Sequence, residues 1–275
     1  NLFEVRNLLE LITGTSFAEI IKDNKCTINN IHNAYKYLML YGFRYVPDYN
    51  ITCKEEKVKI ISDSLAEQLV NFKNSDVNYI EGLFIHCKYN NIKQYITNRT
   101  IIYTQFIKKL IPNIKKELKN DGITFREYTG ENSSDERDKI ITDFGEHKFD
   151  VILASSPITT GVDGLQKYCD NIIILSLPWT NAEYTQLIGR VNRQGSKFKQ
   201  VNIIIPQVFI ELKDGKMWSW DENRYNIIKT KRTLSDAVVD GRFASVFNLN
   251  RKKLLNDAIQ SLKNGINDFS IARKK

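Results

Sequence analysis

The chain has 275 residues, 42% hydrophobic and 26% charged, with 40 Lys and Arg against 32 Asp and Glu, a formal net charge of +8. That apolar fraction is enough for a packed core and excludes global disorder. No run approaches eighteen apolar residues, which excludes a membrane-spanning helix. The basic excess fits either solubility or a polyanionic partner, since clustered Lys and Arg neutralise phosphates. Length suggests one large domain or two smaller ones. The sequence begins NLFEVRNLLE, with neither Met nor a basic region leading into an apolar stretch. The expectation is a piece of a longer protein without a signal peptide. Cys26, Cys53, Cys87 and Cys169 form no CxxC clip. A reduced, intracellular setting (cytoplasmic or nuclear) is expected, with buried thiols and no metal site, because zinc needs paired ligands at short spacing.

Residues 1–97 are predicted to be mostly helical. Leu8, Leu9 and Ile12, and then Ile31, Tyr35, Leu38 and Met39, recur at helical spacing. YGFRYVPDYN (41–50) interrupts this with Gly42 and Pro47 and is predicted as a loop or short extended piece. From residue 98 the rhythm changes. TIIYT (100–104), ITFREY (123–128), DVILA (150–154), NIIILS (171–176) and VNIIIP (201–206) are short β-branched or aromatic runs. Helical patterns lie between them. Ile107, Leu110, Ile111, Ile114 and Leu118 form one stripe, and Ser133/Glu136 and Thr180/Glu183 have capping-box spacing. Strand alternating with helix predicts an α/β fold, a mostly parallel sheet with helices on both faces. Beyond residue 210 two helical candidates follow, 221–240 and 251–263, and then a frayed tail ending ARKK.

In such sheets ligands gather beyond the carboxyl ends of the strands. After 150–154 comes SSPITTGVDGL (155–165), with four hydroxyls, two glycines and one acid. Alone it reads as a surface loop as readily as a phosphate contact. After 171–176 comes LPWTNAEYTQLIGRVNRQGSK (177–197). On a helix starting near Asn181, Gln186, Arg190 and Arg193 share one face, and Tyr184, Leu187, Ile188 and Val191 share the opposite one. Two guanidiniums three residues apart with no acid on their face suit a polyphosphate, or else form a solvated basic face.

QLIGRVNRQGS (186–196) resembles motif VI of superfamily 2 helicases and translocases, Q-x-x-G-R-x-x-R. Its trailing Gln194-Gly195-Ser196 is similar to the remodeller-type (SWI/SNF-like) branch, although Asn192 stands where that branch often has His. SSPITTGVDGL resembles motif V, IIYTQF (101–106) resembles motif IV, and TGENSSDERDKIITDF (129–144) resembles the segment after motif IV. The resemblance covers residues 98–206 and implies the second RecA-like domain of a two-domain, ATP-driven motor. It implies that Arg190 and Arg193 are arginine fingers, each class of which is worth roughly 10³–10⁵ in rate in related NTPases. It also implies that Gly161, Asp163 and Gln186 lie toward the nucleotide. Thr104, Gln105, Ser155, Thr159, Thr160 and Arg137 would meet the nucleic-acid backbone, duplex DNA first among substrates. Mg²⁺ would be held by an N-terminal RecA-like domain.

No phosphate loop is present: Gly215-Lys216 is preceded by Ile210 where G-x-x-x-x-G-K-[ST] needs glycine and followed by Met217 where it needs a hydroxyl. DERD (135–138) mimics a magnesium-binding motif, but it follows a polar segment and opens a capped helix, where acids suit the helix dipole. The expected organisation is a helical region, an inserted protrusion over 1–97, the RecA-like domain over 98–208 and a helical extension over 209–275. MWSWDENRYNIIKTKRTLSDAV (217–238) resembles a bracing helix, with Trp218 and Trp220 as packing anchors. This chain alone is expected to be inactive. Two other readings stand beside the motor: the motor part of a restriction-type nuclease complex, and a non-enzymatic module that binds nucleic acid or protein.

Overall fold

In a computed structural model of the chain, the described residues are 2–25, 27–42, 49–69, 77–212 and 215–240. Cys26, most of the predicted 41–50 connection, the 251–263 helical candidate and the ARKK tail lie outside them. The described residues form two compact units, one of residues 2–42 with 226–240 and one running from 49 to 225.

In the first unit, α1 (Leu2–Thr13) and α2 (Ile28–Tyr41) pack with the last turns of α8 (Trp220–Asp240). Thr27 caps α2 by accepting from the Asn30 amide. The shared apolar cluster includes Leu9, Phe17, Ile21, Ile31, Ala34, Ala237 and Val238. The predicted stripes are only partly buried: Leu9 and Ile31 are inside, whereas Leu8, Ile12 and Met39 are exposed. So small a cluster covers only a narrow face of each helix.

The second unit is built on a sheet. Its strands are β1 (Thr52–Ile61), β2 (Thr100–Tyr103), β3 (Phe125–Tyr128), β4 (Val151–Ala154), β5 (Asn171–Ile174) and β6 (Gln200–Glu211), in the order β1-β6-β5-β2-β4-β3. Every pairing along that path is parallel, and β7 (Met217–Trp218) adds one antiparallel pairing to β6. The protein is thus α/β, as its strand–helix alternation predicts. β1 is the exception within the stretch expected to be mostly helical. It runs in register with β6 from Thr52 opposite Gln200 to Ile61 opposite Phe209. Its first half is largely charged and exposed, and of its apolar residues only Val58 and Ile60 turn inward beside exposed lysines, too short an alternation to mark a strand without its partner.

One face of the sheet is covered by α4 (Val77–Ile92) and α5 (Ile107–Asn120). Ile85, Tyr89 and Ile92 from α4, with Leu110, Ile111, Ile114 and Leu118 from α5, meet Ile102, Leu153, Ile173 and Ile204. Each such aliphatic side chain contributes roughly 1.5–3 kcal/mol on burial. Ile101, Ile152 and Ile172 alternate to the other face and are also fully buried. The short helix α3 (Asp63–Leu69) follows β1, α6 (Ser134–Gly145) follows β3, and α7 (Asn181–Ile188) follows β5. Both expected capping boxes form, Ser133 with Glu136 on α6 and Thr180 with Glu183 on α7. Asp135 and Glu136 of DERD therefore lie in the first turn of α6, where acids meet the positive end of the helix dipole. Trp218 and Trp220 are buried, as expected of packing anchors. The thiols diverge from expectation: Cys169 is buried, Cys87 is partly buried and Cys53 is exposed on β1.

Candidate nucleotide and nucleic-acid site

The sequence-predicted residues collect where the parallel strands end. β4 delivers its chain into a 3₁₀ turn, Ser156–Thr159, and then into a loop with Gly161 at φ +72° and Gly164 at φ +95°. Side-chain-bearing residues rarely adopt that region. The left-handed step at Gly164 lets its amide donate to Gln166 Oε1 at 3.0 Å, and Gln166 Nε2 in turn donates to Asp163 at 3.2 Å. Hydrogen bonds from the Gln166 side chain and the Gly164 amide, with Arg193 beside them, hold the Asp163 carboxyl below the usual carboxylate range.

α7 ends at Ile188, so Arg190 and Arg193 do not ride on a helix face as the spacing predicts. Gly189 closes the helix, and the amides of Arg190 and Val191 bond back to Leu187 and Ile188 in a tighter turn. That turn brings both arginines onto the loop after β4. Arg190 donates from Nη1 to the Val162 carbonyl at 2.7 Å and from Nη2 to the Thr159 carbonyl at 2.5 Å. Its Nε is buried without a hydrogen-bond partner. Burial, reinforced by the nearby Arg193 charge, lowers the Arg190 pKa. Arg193 Nη1 lies 3.2 Å from Asp163 Oδ1, with the two side chains 42% and 74% exposed. An acid absent from the helix face is thus supplied by a loop. The apolar side of α7 is placed as expected: Tyr184, Leu187 and Val191 are buried. Gln186 is exposed on α7.

The remaining predicted residues form two further groups. Thr104 is fully buried and shares a 3.0 Å hydrogen bond with Ser176, whose hydroxyl also accepts from the Gln105 amide at 2.8 Å. Ser155 Oγ and Gln105 Oε1 are buried without hydrogen-bond partners. Thr159 is buried and donates to the Ser156 carbonyl at 2.7 Å, whereas Thr160 is exposed. Arg137 on α6 donates to the Thr129 carbonyl from Nε at 3.2 Å and from Nη2 at 2.9 Å, and its guanidinium lies 5.7 Å from the Tyr128 ring centre. Gln166 and Ser176 organise these groups, yet neither stands out in the sequence. Ser176 follows a strand and Gln166 lies two residues past a glycine, which are weak signals.

Chemically, the turn ties Arg190 to the Val162 and Thr159 carbonyls with its Nε buried and unpartnered, and leaves on Arg193 a half-exposed guanidinium that faces a single exposed acid. An exposed guanidinium is a group that can fork onto a phosphate. Among the described residues no group of three or more His, Cys, Asp or Glu is placed to hold a metal ion, and no helix is long and apolar enough to cross a membrane.

Residues 85–195 match the helicase conserved C-terminal domain family. The matched segment includes α4 from Ile85 on, β2 to β5, α7 and both arginines. A curated protein of Acanthamoeba polyphaga mimivirus, provisionally named ATP-dependent RNA helicase L538, is 25% identical over 179 residues. That match covers 63% of this chain and 38% of the relative, so the chain spans well under half of the relative's length. Among solved structures, the C-terminal part of the Fun30 ATPase domain is 16% identical with a TM-score of 0.45, covering 96% of this chain and 75% of that one. The C-terminal domain of the DEAD-box protein Dbp5 is 19% identical with a TM-score of 0.37, covering 57% and 77%.

Proposed function

We propose that this chain is the C-terminal half of an intracellular, ATP-dependent nucleic-acid translocase or helicase, with residues 98–208 as its second RecA-like domain. The observation that carries the reading is the turn holding Arg190 and Arg193 against the loop after β4, inside the segment that matches the helicase family. Arg190 and Arg193 would hold the phosphates of ATP, and Gly161, Asp163 and Gln186 would line the nucleotide side. ATP supplies the phosphoryl transfer, and Mg²⁺ would be held by a separate N-terminal RecA-like domain. The two guanidiniums offset negative charge as it develops, which requires them to be preorganised. Thr160, with Thr159, Thr104, Gln105, Ser155 and Arg137, would meet the sugar–phosphate backbone and so read no base sequence. The helical unit of residues 2–42 and 226–240 would supply the protrusion and the bracing helix, whereas β1 and α4, although within residues 1–97, belong to the sheet unit.

Duplex DNA is the first substrate, by resemblance to the remodeller-type motif VI. The mimivirus relative's name favours RNA as the second. ATP hydrolysis by the longer protein should rise with nucleic acid, and a comparison of duplex DNA with RNA separates the two substrates. Arg190→Ala and Arg193→Ala should each lower stimulated kcat by roughly 10³-fold or more. Stimulated turnover that survives both replacements would sink this reading.

A further inference from the structure

The start of α8 is fixed to the sheet unit by four buried charges. Lys88 on α4 donates to Asp221 at 2.5 Å, to Glu81 at 3.4 Å and to the Leu175 carbonyl at 2.7 Å. Asp221 also accepts from the Val208 amide of β6 at 3.0 Å. Glu81 accepts from Arg224 and from the Trp220 indole, at 2.9 and 3.0 Å. Arg224, 3% exposed, donates its other arm to the Leu177 carbonyl and lies 4.1 Å from the Trp179 ring centre. Leu175, Leu177 and Trp179 belong to the connection between β5 and α7. The helix itself is held next: the Tyr184 and Tyr225 hydroxyls each donate to Glu55 of β1 at 2.7 Å. Its exit is held last, where Asn192 donates to Cys53 at 3.0 Å. α7 is therefore fixed at its approach, its middle and its exit, and it leads directly into the arginine turn.

We infer that Arg224 is a positioning residue: through Leu177 and Trp179 it sets α7 and thereby the placement of Arg190 on the loop after β4. One planar guanidinium bonds the Glu81 carboxylate and the Leu177 carbonyl through separate nitrogens while its face lies against the Trp179 indole, a fixed fork that the compact ammonium of lysine does not reproduce. The consequence for catalysis rests on the functional reading above, whereas the positioning itself does not.

The test pairs hydrogen–deuterium exchange on the 275-residue chain with nucleic-acid-stimulated ATPase of the longer protein. Arg224→Lys should speed amide exchange across residues 175–190 by about tenfold and leave α5 unchanged. It should lower kcat by about tenfold with little change in KM for ATP, and add no further loss in an Arg190→Ala background. Unchanged exchange over 175–190 overturns the positioning role. So does a kcat loss that simply adds to that of Arg190→Ala. If the parent protein shows no stimulated ATPase, the functional reading fails and the exchange data alone decide the inference. If Arg224→Lys does not fold, Trp179→Leu, which leaves the four charges intact, should loosen the same segment, and unchanged exchange there overturns the inference equally.

Discussion

Lys88 is a cation with almost no water around it, 1% exposed. Burial alone would push it toward neutrality, but the carboxylates of Asp221 and Glu81 outweigh that penalty and raise its pKa. Lys88→Met removes one cation from a set of two acids and two bases, leaving the acids with only Arg224. The expected cost is about 3–5 kcal/mol, read as a lower denaturant midpoint. A Met variant as stable as the parent would show that the four charges are not coupled. The arginines of the site are legible in sequence because Gln186, Gly189, Arg190 and Arg193 form one contiguous string. Ser176 and Arg224 are not, because their partners Thr104 and Glu81 lie 72 and 143 residues away.

At the scale of elements, α5 contains Pro112 in its interior and remains a helix. Pro there removes one backbone hydrogen bond and crowds the preceding turn, at a cost of about 3 kcal/mol. Burial of Leu110, Ile111, Ile114 and Leu118 along the opposite stripe outweighs it. Since Pro112 is exposed, Pro112→Ala should stabilise the chain by about 1–3 kcal/mol, measured by urea unfolding. A destabilised variant would mean that the unfolded chain gains more from losing the ring than the helix does. α6 and α7 are legible because capping boxes are local, three residues apart. The end of α7 is not. Helical spacing extrapolates through Arg193, but Gly189 and the pull of the Thr159 and Val162 carbonyls on Arg190 close the helix at Ile188. β1 escapes sequence reading for a different reason: an edge strand covered on so little of its surface needs little apolar alternation, here only Val58 and Ile60, and a partner strand to pair with.

Across the whole molecule, burial sets an alkaline limit. Burial is the leading cause that pushes the Cys169 thiol up to about 12 and raises the phenols of Tyr89, Tyr103 and Tyr184. The unfolded chain would release those protons first, near 9.0 for the thiol and 10.0 for the phenols. The unfolded state thus binds fewer protons as pH rises, and stability falls from about pH 9 upward. Urea midpoints should be similar at about pH 7 and pH 8 and clearly lower at about pH 10. Equal midpoints at all three would mean that these groups are already exposed.

The sequence by itself determined the order of strand and helix, the capped starts of α6 and α7, and the motif strings that carry the candidate site. Each of these is written within a few consecutive residues, so periodicity and spacing reveal it. Tertiary structure alone decided that β1 joins β6, that Asp163 answers Arg193, and that the buried charges of α4 meet the first turns of α8. Those depend on hydrogen bonds and ion pairs between residues far apart in the sequence, which only the folded chain brings within reach.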